Sequence, residues 1–445
     1  DFYIYDFRRS CCKKYIGLLQ QLYYVRESIY KVFGGISMHI DIPKDVEDII
    51  EELENAGYEA YIVGGCVRDS IMGINPKDWD ITTSALPQDI KRVFKRTIDT
   101  GIKHGTVSVL INKSTYEITT YRIDGEYGDG RHPNSVEFST SLEEDLKRRD
   151  FTINAMAYSH KDGLIDLFGG IRDIKAKRIN CVGKAMERFD EDALRMLRAI
   201  RFAAVLGFSI EENTFAAICT LADKLRLVSK ERVFIELDKT VCSKNAYYIK
   251  EVYNSGLYKY ISQNFNAVKE NSYLDMLYIK GIESKRHIAW TVFMKDIDAS
   301  LAKAILKELK VDKDTFTKVF VLTSYVKVKL PDNEISIRKL LSKIGFERFR
   351  DLIYIKRLLL EKFEESKEVL KAIEEKLDYI QMQGQAISIA MLDIKGDDLM
   401  KLGIKKGPVI GKILDDLLLS VLERPELNSK EVLLNMVKLE DYAEN

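Results

Sequence analysis

Between residues 43 and 56 the apolar side chains Val46, Ile49, Ile50 and Leu53 recur three and four apart, a spacing that predicts an amphipathic helix with one stripe turned to a core. Gly57 follows as its stop. The period then changes. Residues 58–63 read as a strand that ends in Gly64-Gly65, and further strand-like stretches cover residues 78–82, 106–111, 115–122 and 136–138. Short strands and helices mix as far as about Arg178. Beyond it the apolar residues keep helical spacing over helix-length runs to the end, with few prolines to interrupt them. The predicted fold class is α+β: a head with a small mixed β-sheet and helices, followed by an elongated all-α remainder.

Composition narrows this picture without changing it. A chain of 445 residues suits about three domains at roughly 150 residues each. With 46% hydrophobic and 31% charged residues it belongs with globular proteins rather than disordered or collagenous ones. No run approaches the roughly 18 apolar residues of a membrane-spanning helix, so no membrane association is expected. Lys plus Arg and Asp plus Glu both number 69, so the whole-molecule charge attracts no polyanion and any nucleic acid must meet a local patch. The six cysteines (Cys11, Cys12, Cys66, Cys181, Cys219, Cys242) form no CxxC, and a reducing, cytoplasmic location is expected. The first methionine is Met38. The stretch before it has a basic start (Arg8, Arg9, Lys13, Lys14) and an apolar part at 16–25 broken by two glutamines, with no cleavage site of small residues. Residues 1–37 are read as an extension without catalytic role, the native start being Met38.

Three features of the head suggest one chemistry. The strand at 58–63 runs into Gly64-Gly65-Cys66-Val67-Arg68-Asp69, where glycines allow close backbone approach to a phosphate and Arg68 offers a fork of donors. Asp78-Trp79-Asp80 places two carboxylates on one face of a strand, and such a pair suits Mg2+, which takes its other ligands from water and substrate phosphates. Glu117, in mid-strand, adds a third carboxylate. Taken singly, these are a plain turn, two solvated aspartates and an edge residue. Together, two aspartates and a glutamate on neighbouring strands can hold two metal ions, one activating a hydroxyl and one bridging a triphosphate.

These segments, with Arg148-Arg149-Asp150-Phe151-Thr152-Ile153-Asn154-Ala155, Asp166-Leu167-Phe168-Gly169-Gly170 and Glu191-Asp192-Ala193-Leu194-Arg195, resemble in order and spacing the motifs of the class II tRNA nucleotidyltransferases, the CCA-adding enzymes that share their head with bacterial poly(A) polymerases. The resemblance is strong from about Ile42 to Leu237. It implies a catalytic head (38–178), a helical neck that recognises the base (179–240), a helical body (241–375) and a tRNA-binding tail (376–445). It implies addition of CCA to the tRNA 3′ end from CTP and ATP, with Mg2+ as cofactor and no stable protein partner. Asp78, Asp80 and Glu117 are then catalytic, Asp78 and Asp80 holding the metals, and Gly64, Gly65 and Arg68 seat the triphosphate. Arg148, Asp150 and Asn154 lie near the ribose and triphosphate. Five histidines (His39, His104, His132, His160, His287), with no adjacent His-Asp pair, leave no basis for the phosphohydrolase domain that some relatives carry.

Addition without a template requires protein to read the base. Asp192 and Arg195, three apart on the helix expected after Phe189, project together beside the buried stripe Ala193, Leu197, Ile200 and Ala204. A carboxylate only accepts and a guanidinium only donates, so the pair matches the amine and neighbouring acceptor of cytosine or adenine and rejects uracil and guanine. Glu191 is expected to order Arg195 through an i,i+4 pair. Ser229-Lys230-Glu231-Arg232 supports this helix, with Ser229 as a cap. The glycine-rich stretch at 124–133 is expected to help the switch from C to A. In the tail, Lys395, Lys401, Lys405, Lys406 and Lys412 lie among glycine turns and are candidate RNA contacts, although Asp397, Asp398, Asp415 and Asp416 are interspersed. Poly(A) polymerase, a CC-adding or A-adding partial enzyme, and a non-catalytic RNA-binding protein on the same scaffold are the alternatives. The stretch Thr100-Gly101-Ile102-Lys103-His104-Gly105-Thr106-Val107 favours the CCA-adding form, and three intact carboxylates disfavour the non-catalytic one.

Overall fold

The computed structural model describes residues 39–124, 136–279 and 285–437. The N-terminal extension and nearly all of the glycine-rich stretch at 124–133 lie outside them. The described chain divides into two compact units, one of residues 39–124 with 136–176 and one of residues 177–279 with 285–437.

In the first unit, helix α1 (Lys44–Asn55) begins after Pro43 and ends before Gly57, whose φ of +91° only glycine adopts freely. All four apolar residues of its predicted stripe are buried. They pack on one face of a seven-stranded mixed sheet. Its strands are β1 (Ala60–Val63), β2 (Ile81–Thr83), β3 (Thr97–Gly101), β4 (Thr106–Ile111), β5 (Ser114–Thr120), β8 (Ala157–Ser159) and β9 (Gly163–Ile165), in the order β3-β4-β5-β2-β1-β8-β9. Between β5 and β8 in the chain, β6 (Arg122–Asp124) and β7 (Val136–Phe138) form a separate antiparallel ribbon. The remaining head helices used below are α2 (Gly65–Ile71), α3 (Leu142–Lys147) and α4 (Gly170–Lys175).

Two expectations are corrected here. Asp78 and Asp80 are not in a strand, because β2 starts at Ile81 and the aspartates lie in the irregular approach to it. Aspartate has little strand preference, and both are open to solvent. The stretch at 115–122 is two strands, not one. They part at Tyr121, which is fully buried and whose N–H donates to the Thr83 carbonyl at 2.8 Å.

The Asp166–Gly170 motif is a structural device. Asp166 accepts from the backbone N–H groups of Gly170 (2.7 Å) and Ile171 (2.9 Å) and so satisfies the first donors of α4. A Cβ on Gly170 would stand 2.5 Å from the Thr152 carbonyl oxygen, so this position needs glycine for close packing.

The second unit is helical apart from the two-residue parallel pair β10 (Arg178–Ile179) and β11 (Ser209–Ile210). Helices α5 (Ala185–Glu191) and α6 (Leu194–Leu206) follow β10, and α7 (Lys230–Val241) comes after β11. An ion pair sealed from water fixes the chain that leaves the helix Glu334–Leu358. Lys356 and Glu365, each 1% exposed, meet at 2.9 Å. A separate apolar cluster around Leu399, Leu417, Val421 and Leu433 forms the core near the C-terminal end. Among the described residues, no helix is long and apolar enough to cross a membrane.

Gly170→Ala should lower head stability by about 1–3 kcal/mol, the usual cost of overpacking against an immovable neighbour. Gly411→Ala, where an added Cβ meets nothing within 4 Å, should not destabilise. Urea melts of both variants check this, and equal midpoints would contradict the packing role.

Candidate active site

Gly64 closes β1 with φ +81° and ψ −124°, a conformation that disfavours any side chain, and its N–H donates to the Met156 carbonyl at 3.2 Å. A Cβ there would come within 3.1 Å of Arg149 Nη1. Glycine at 64 therefore lets a guanidinium lie against the turn. Gly65 differs: it is the first residue of α2, and an added Cβ would find only an ordinary contact with Arg68 Nη2 at 3.7 Å. Beneath the turn, the Cys66 thiol donates to the Val63 carbonyl at 3.3 Å, and burial pushes its pKa up to about 11, so it is no nucleophile.

Arg68 does not offer a free fork. It is 8% exposed; Nε and Nη2 reach Asp69 Oδ1 at 2.8 and 2.7 Å, and Nη1 donates to Asn154 Oδ1 at 2.6 Å. Asn154 Nδ2 in turn donates to Asp150 Oδ1 at 3.2 Å, which also accepts from the Phe151 N–H at 2.9 Å. The expected phosphate donor, Arg68, and the expected ribose readers, Asp150 and Asn154, thus form one buried hydrogen-bonded string, because a guanidinium taken out of water needs its donors satisfied inside the protein. Arg148 is likewise committed, with Nε and Nη2 on Asp145 Oδ1 at 3.0 and 2.7 Å.

The carboxylates face the open side. β2 and β5 run parallel with Ile81 beside Ile118, so the residue before each, Asp80 and Glu117, occupies neighbouring positions. The Asp80 carbonyl accepts from the Val63 N–H at 3.0 Å, which anchors it to β1 one residue before the glycine turn. Although Asp80 is reached by solvent, the surrounding protein raises the pKa of its carboxyl; Arg149 opposes the rise and Asp78 adds to it. Asp78 and Asp80 therefore act on each other as like charges, a pair that a cation would relieve. Among the described residues no three His, Cys, Asp or Glu side chains are gathered closely enough to hold a metal by themselves. The donor set fits a hard divalent ion that draws further ligands from phosphate and water.

Arg149 is the residue sequence reasoning passed over. It lies against Gly64 and its charge is felt at Asp80. The doubled arginine at 148–149 was the available signal, but pattern alone does not say which of the two is taken up internally.

In the second unit the expected single helix is broken. Asp192 has φ −139° and ψ 102° and joins α5 to α6. Its Oδ1 accepts from the Leu194 N–H at 3.0 Å and its Oδ2 pairs with Arg232 Nη2 at 2.9 Å. The carboxylate caps the second helix and so competes with continuation of the first. Asp192 and Arg195 are therefore not side by side on one helix. The other expectations hold: Glu191 Oε2 meets Arg195 Nη1 at 2.7 Å, Arg232 of α7 supports Asp192, and Ala193, Leu197, Ile200 and Ala204 are buried. Glu191 also accepts from Arg188 at 2.6 Å. Ser229 precedes α7 but makes no side-chain cap.

Among the tail lysines, Lys395 is exposed and donates to the carbonyls of Ala390 (2.8 Å) and Leu392 (3.0 Å), two bonds for an ammonium that has three donors. Lys401 stands 3.9 Å from Asp398, and Lys405, Lys406 and Lys412 are exposed.

Gly64→Ala should displace Arg149 or distort the turn, lowering kcat/KM for a nucleoside triphosphate about tenfold or more with the fold retained, as expected for strain of about 1–3 kcal/mol at a functional turn. Steady-state kinetics beside a circular dichroism melt check it. Gly65→Ala should be milder.

Residues 60–180 match the family model described as the poly A polymerase head domain, and residues 283–437 match tRNA nucleotidyltransferase domain 2. The CCA-adding enzyme of Lactococcus lactis subsp. cremoris is 37% identical over 404 residues, covering 88% of this chain and 95% of the relative. That of Streptococcus suis is 35% identical over 416 residues, covering 89% and 98%. The crystal structure of the Bacillus stearothermophilus CCA-adding enzyme in complex with CTP superimposes with a TM-score of 0.74 at 30% identity, over 89% of this chain and 97% of that one. With head, neck and helical remainder all matched along nearly the full length of these relatives, the chain belongs to the CCA-adding enzyme family of tRNA nucleotidyltransferases.

Proposed function

We propose that this chain builds or repairs the 3′-terminal CCA of tRNA from CTP and ATP by Mg2+-dependent nucleotidyl transfer, releasing pyrophosphate. The observation that carries the reading is the Asp78/Asp80 pair beside Glu117 at the mouth of the Gly64 turn, in a chain that matches CCA-adding enzymes over their whole length. The RNA 3′ hydroxyl attacks the α-phosphate of the nucleotide, the new phosphodiester forms, and the bond to the β-phosphate breaks. Asp78 and Asp80 hold the metals, and Glu117 completes the site and helps draw the proton from the attacking hydroxyl. Bound Mg2+ supplies charge neutralisation of the triphosphate and lowers the pKa of the attacking hydroxyl. Gly64 and Arg149 seat the triphosphate, while the buried string of Arg68, Asn154 and Asp150 keeps the wall behind the turn rigid. This modifies the sequence-based assignment, in which Gly64, Gly65 and Arg68 seat the triphosphate and Arg148, Asp150 and Asn154 lie near the ribose and triphosphate.

Asp192 and Arg195 read the base. Each oxygen of Asp192 already accepts one hydrogen bond, and a carboxylate has capacity for more, so an exocyclic amine can still be accepted. The head at 38–178, neck at 179–240, body at 241–375 and tail at 376–445 remain the proposed division. The end of the first unit at Ala176 and the separate apolar cluster near the C-terminal end support it. Lys395, Lys401, Lys405, Lys406 and Lys412 are the proposed tail contacts to the RNA backbone. Among the described residues Cys66, Cys181, Cys219 and Cys242 form no disulfide, and a reducing, cytoplasmic location is part of the proposal.

Incubating tRNA that ends before CCA, at CC and complete with each nucleoside triphosphate and sequencing the products tests the reading. Addition of C, C and A and then arrest supports it; a run of A added to any RNA end points to poly(A) polymerase, and addition of C alone or A alone to a partial enzyme. Asp78→Ala should cut turnover by several orders of magnitude while sparing tRNA binding. Near-normal addition in Mg2+ by that variant would remove the carboxylate pair from the mechanism. Asp192→Ala should lose about 1–3 kcal/mol of discrimination against UTP, one good base contact. Competition kinetics with CTP, ATP and UTP measure it, and unchanged ratios would exclude Asp192 as a base reader.

A further inference from the structure

Resting on the nucleotidyl-transfer reading, we infer that Asp145, a fully buried carboxylate of α3 outside the reacting groups, is the positioning residue that aims Arg149 at the nucleotide triphosphate. The hydrogen-bond geometry carries this. Oδ1 of Asp145 accepts from Arg148 Nε (3.0 Å) and Nη2 (2.7 Å); Oδ2 accepts from Arg149 Nη2 (3.1 Å) and from the Thr82 hydroxyl (3.2 Å). Three guanidinium N–H groups and a Thr82 hydroxyl shared with the Thr119 carbonyl serve a carboxylate that is fully buried. A charge so desolvated persists only if paired, and two arginines do this here.

The division between the arginines is unequal. Arg148 directs two N–H groups, on Nε and Nη2, at one oxygen. Arg149 gives a single bond. Its Nε is buried with no hydrogen-bond partner among the described residues, and its Nη1 lies against the Gly64 turn. A buried N–H left unmet costs free energy, and an anion with several acceptor oxygens at that turn would meet it.

Thr82 couples the device to the sheet, since its hydroxyl contacts both Asp145 Oδ2 and the Thr119 carbonyl at 3.2 Å, and Thr82 lies two residues beyond Asp80. The sequence gives no sign of this role: Asp145 stands among the acidic residues Glu143 and Glu144 in a short helix and reads as one more solvated charge.

A double-mutant cycle tests the inference on the full chain, with the dissociation constants of CTP and ATP measured by calorimetry without RNA, and KM and kcat measured with tRNA lacking CCA. Asp145→Asn should raise Kd and KM for both nucleotides about tenfold or more and change kcat less. In an Arg149→Ala background the same change should add less than threefold to Kd, because the guanidinium through which Asp145 acts is gone. A normal nucleotide Kd for Asp145→Asn, or an equal effect in both backgrounds, would overturn the role. Should Asp145→Asn fail to fold by circular dichroism, Arg149→Ala, which leaves the Asp145–Arg148 pair in place, decides: an unchanged Kd refutes the inference. A wild-type chain that binds CTP and ATP but adds neither to tRNA would defeat the functional reading alone, whereas one that binds neither nucleotide would defeat this inference.

Discussion

The parallel pairing of β2 with β5, Ile81 beside Ile118, is the constraint on which the head depends. Both isoleucines are buried in the core that α1 covers, so the register is held by apolar burial on that face. The residues before them therefore have no choice of place. Asp80 and Glu117 come to neighbouring positions, and a slip of one residue would exchange charge and core between faces at the cost of burying carboxylates without partners. The position of the negative charge is thus set by the hydrophobic effect on the reverse side of the sheet, and so is that of Thr82, two residues beyond Asp80.

Around those carboxylates the head uses arginine in two physically different ways. Arg68 and Arg148 are taken inside and satisfied, the first by Asp69 and Asn154 and the second by Asp145. They stiffen the walls. Arg149 is only partly satisfied, and it is the one against the turn where glycine leaves room. A site that must bind a highly charged ligand and release a charged product gains from this arrangement, because most of its cationic groups are already fixed and little rearrangement is needed when the ligand arrives.

Around residue 192 acidic side chains organise the local structure. Asp192 breaks the helical run, supplies the first bond of the next helix and takes a bond from Arg232 on α7. Glu191 spans Arg188 and Arg195. Each polar group is oriented by a partner on another turn or helix, so the direction of its remaining hydrogen-bonding capacity is defined before any base is present. This is the condition for selecting a base by protein alone.

The amino-acid sequence by itself determined what rests on local pattern: the stripe of α1, the limits of β4 and β7, the buried stripe of α6, the change from mixed to helical structure near residue 178, and the carboxylate and glycine motifs, because period, turn chemistry and motif order are properties of neighbours along the chain. It did not determine which member of a group of like residues is spent internally. Arg68, Arg148 and Arg149 are equivalent on paper, as are Lys395 and Lys405. Only the tertiary structure decides that Arg68 is enclosed with Asn154, 86 positions away, that Asp145 is sealed from water beneath two arginines, and that Lys395 folds back onto carbonyls. The reason is that satisfaction of a polar group depends on burial and on partners brought from distant parts of the chain, and neither quantity is local.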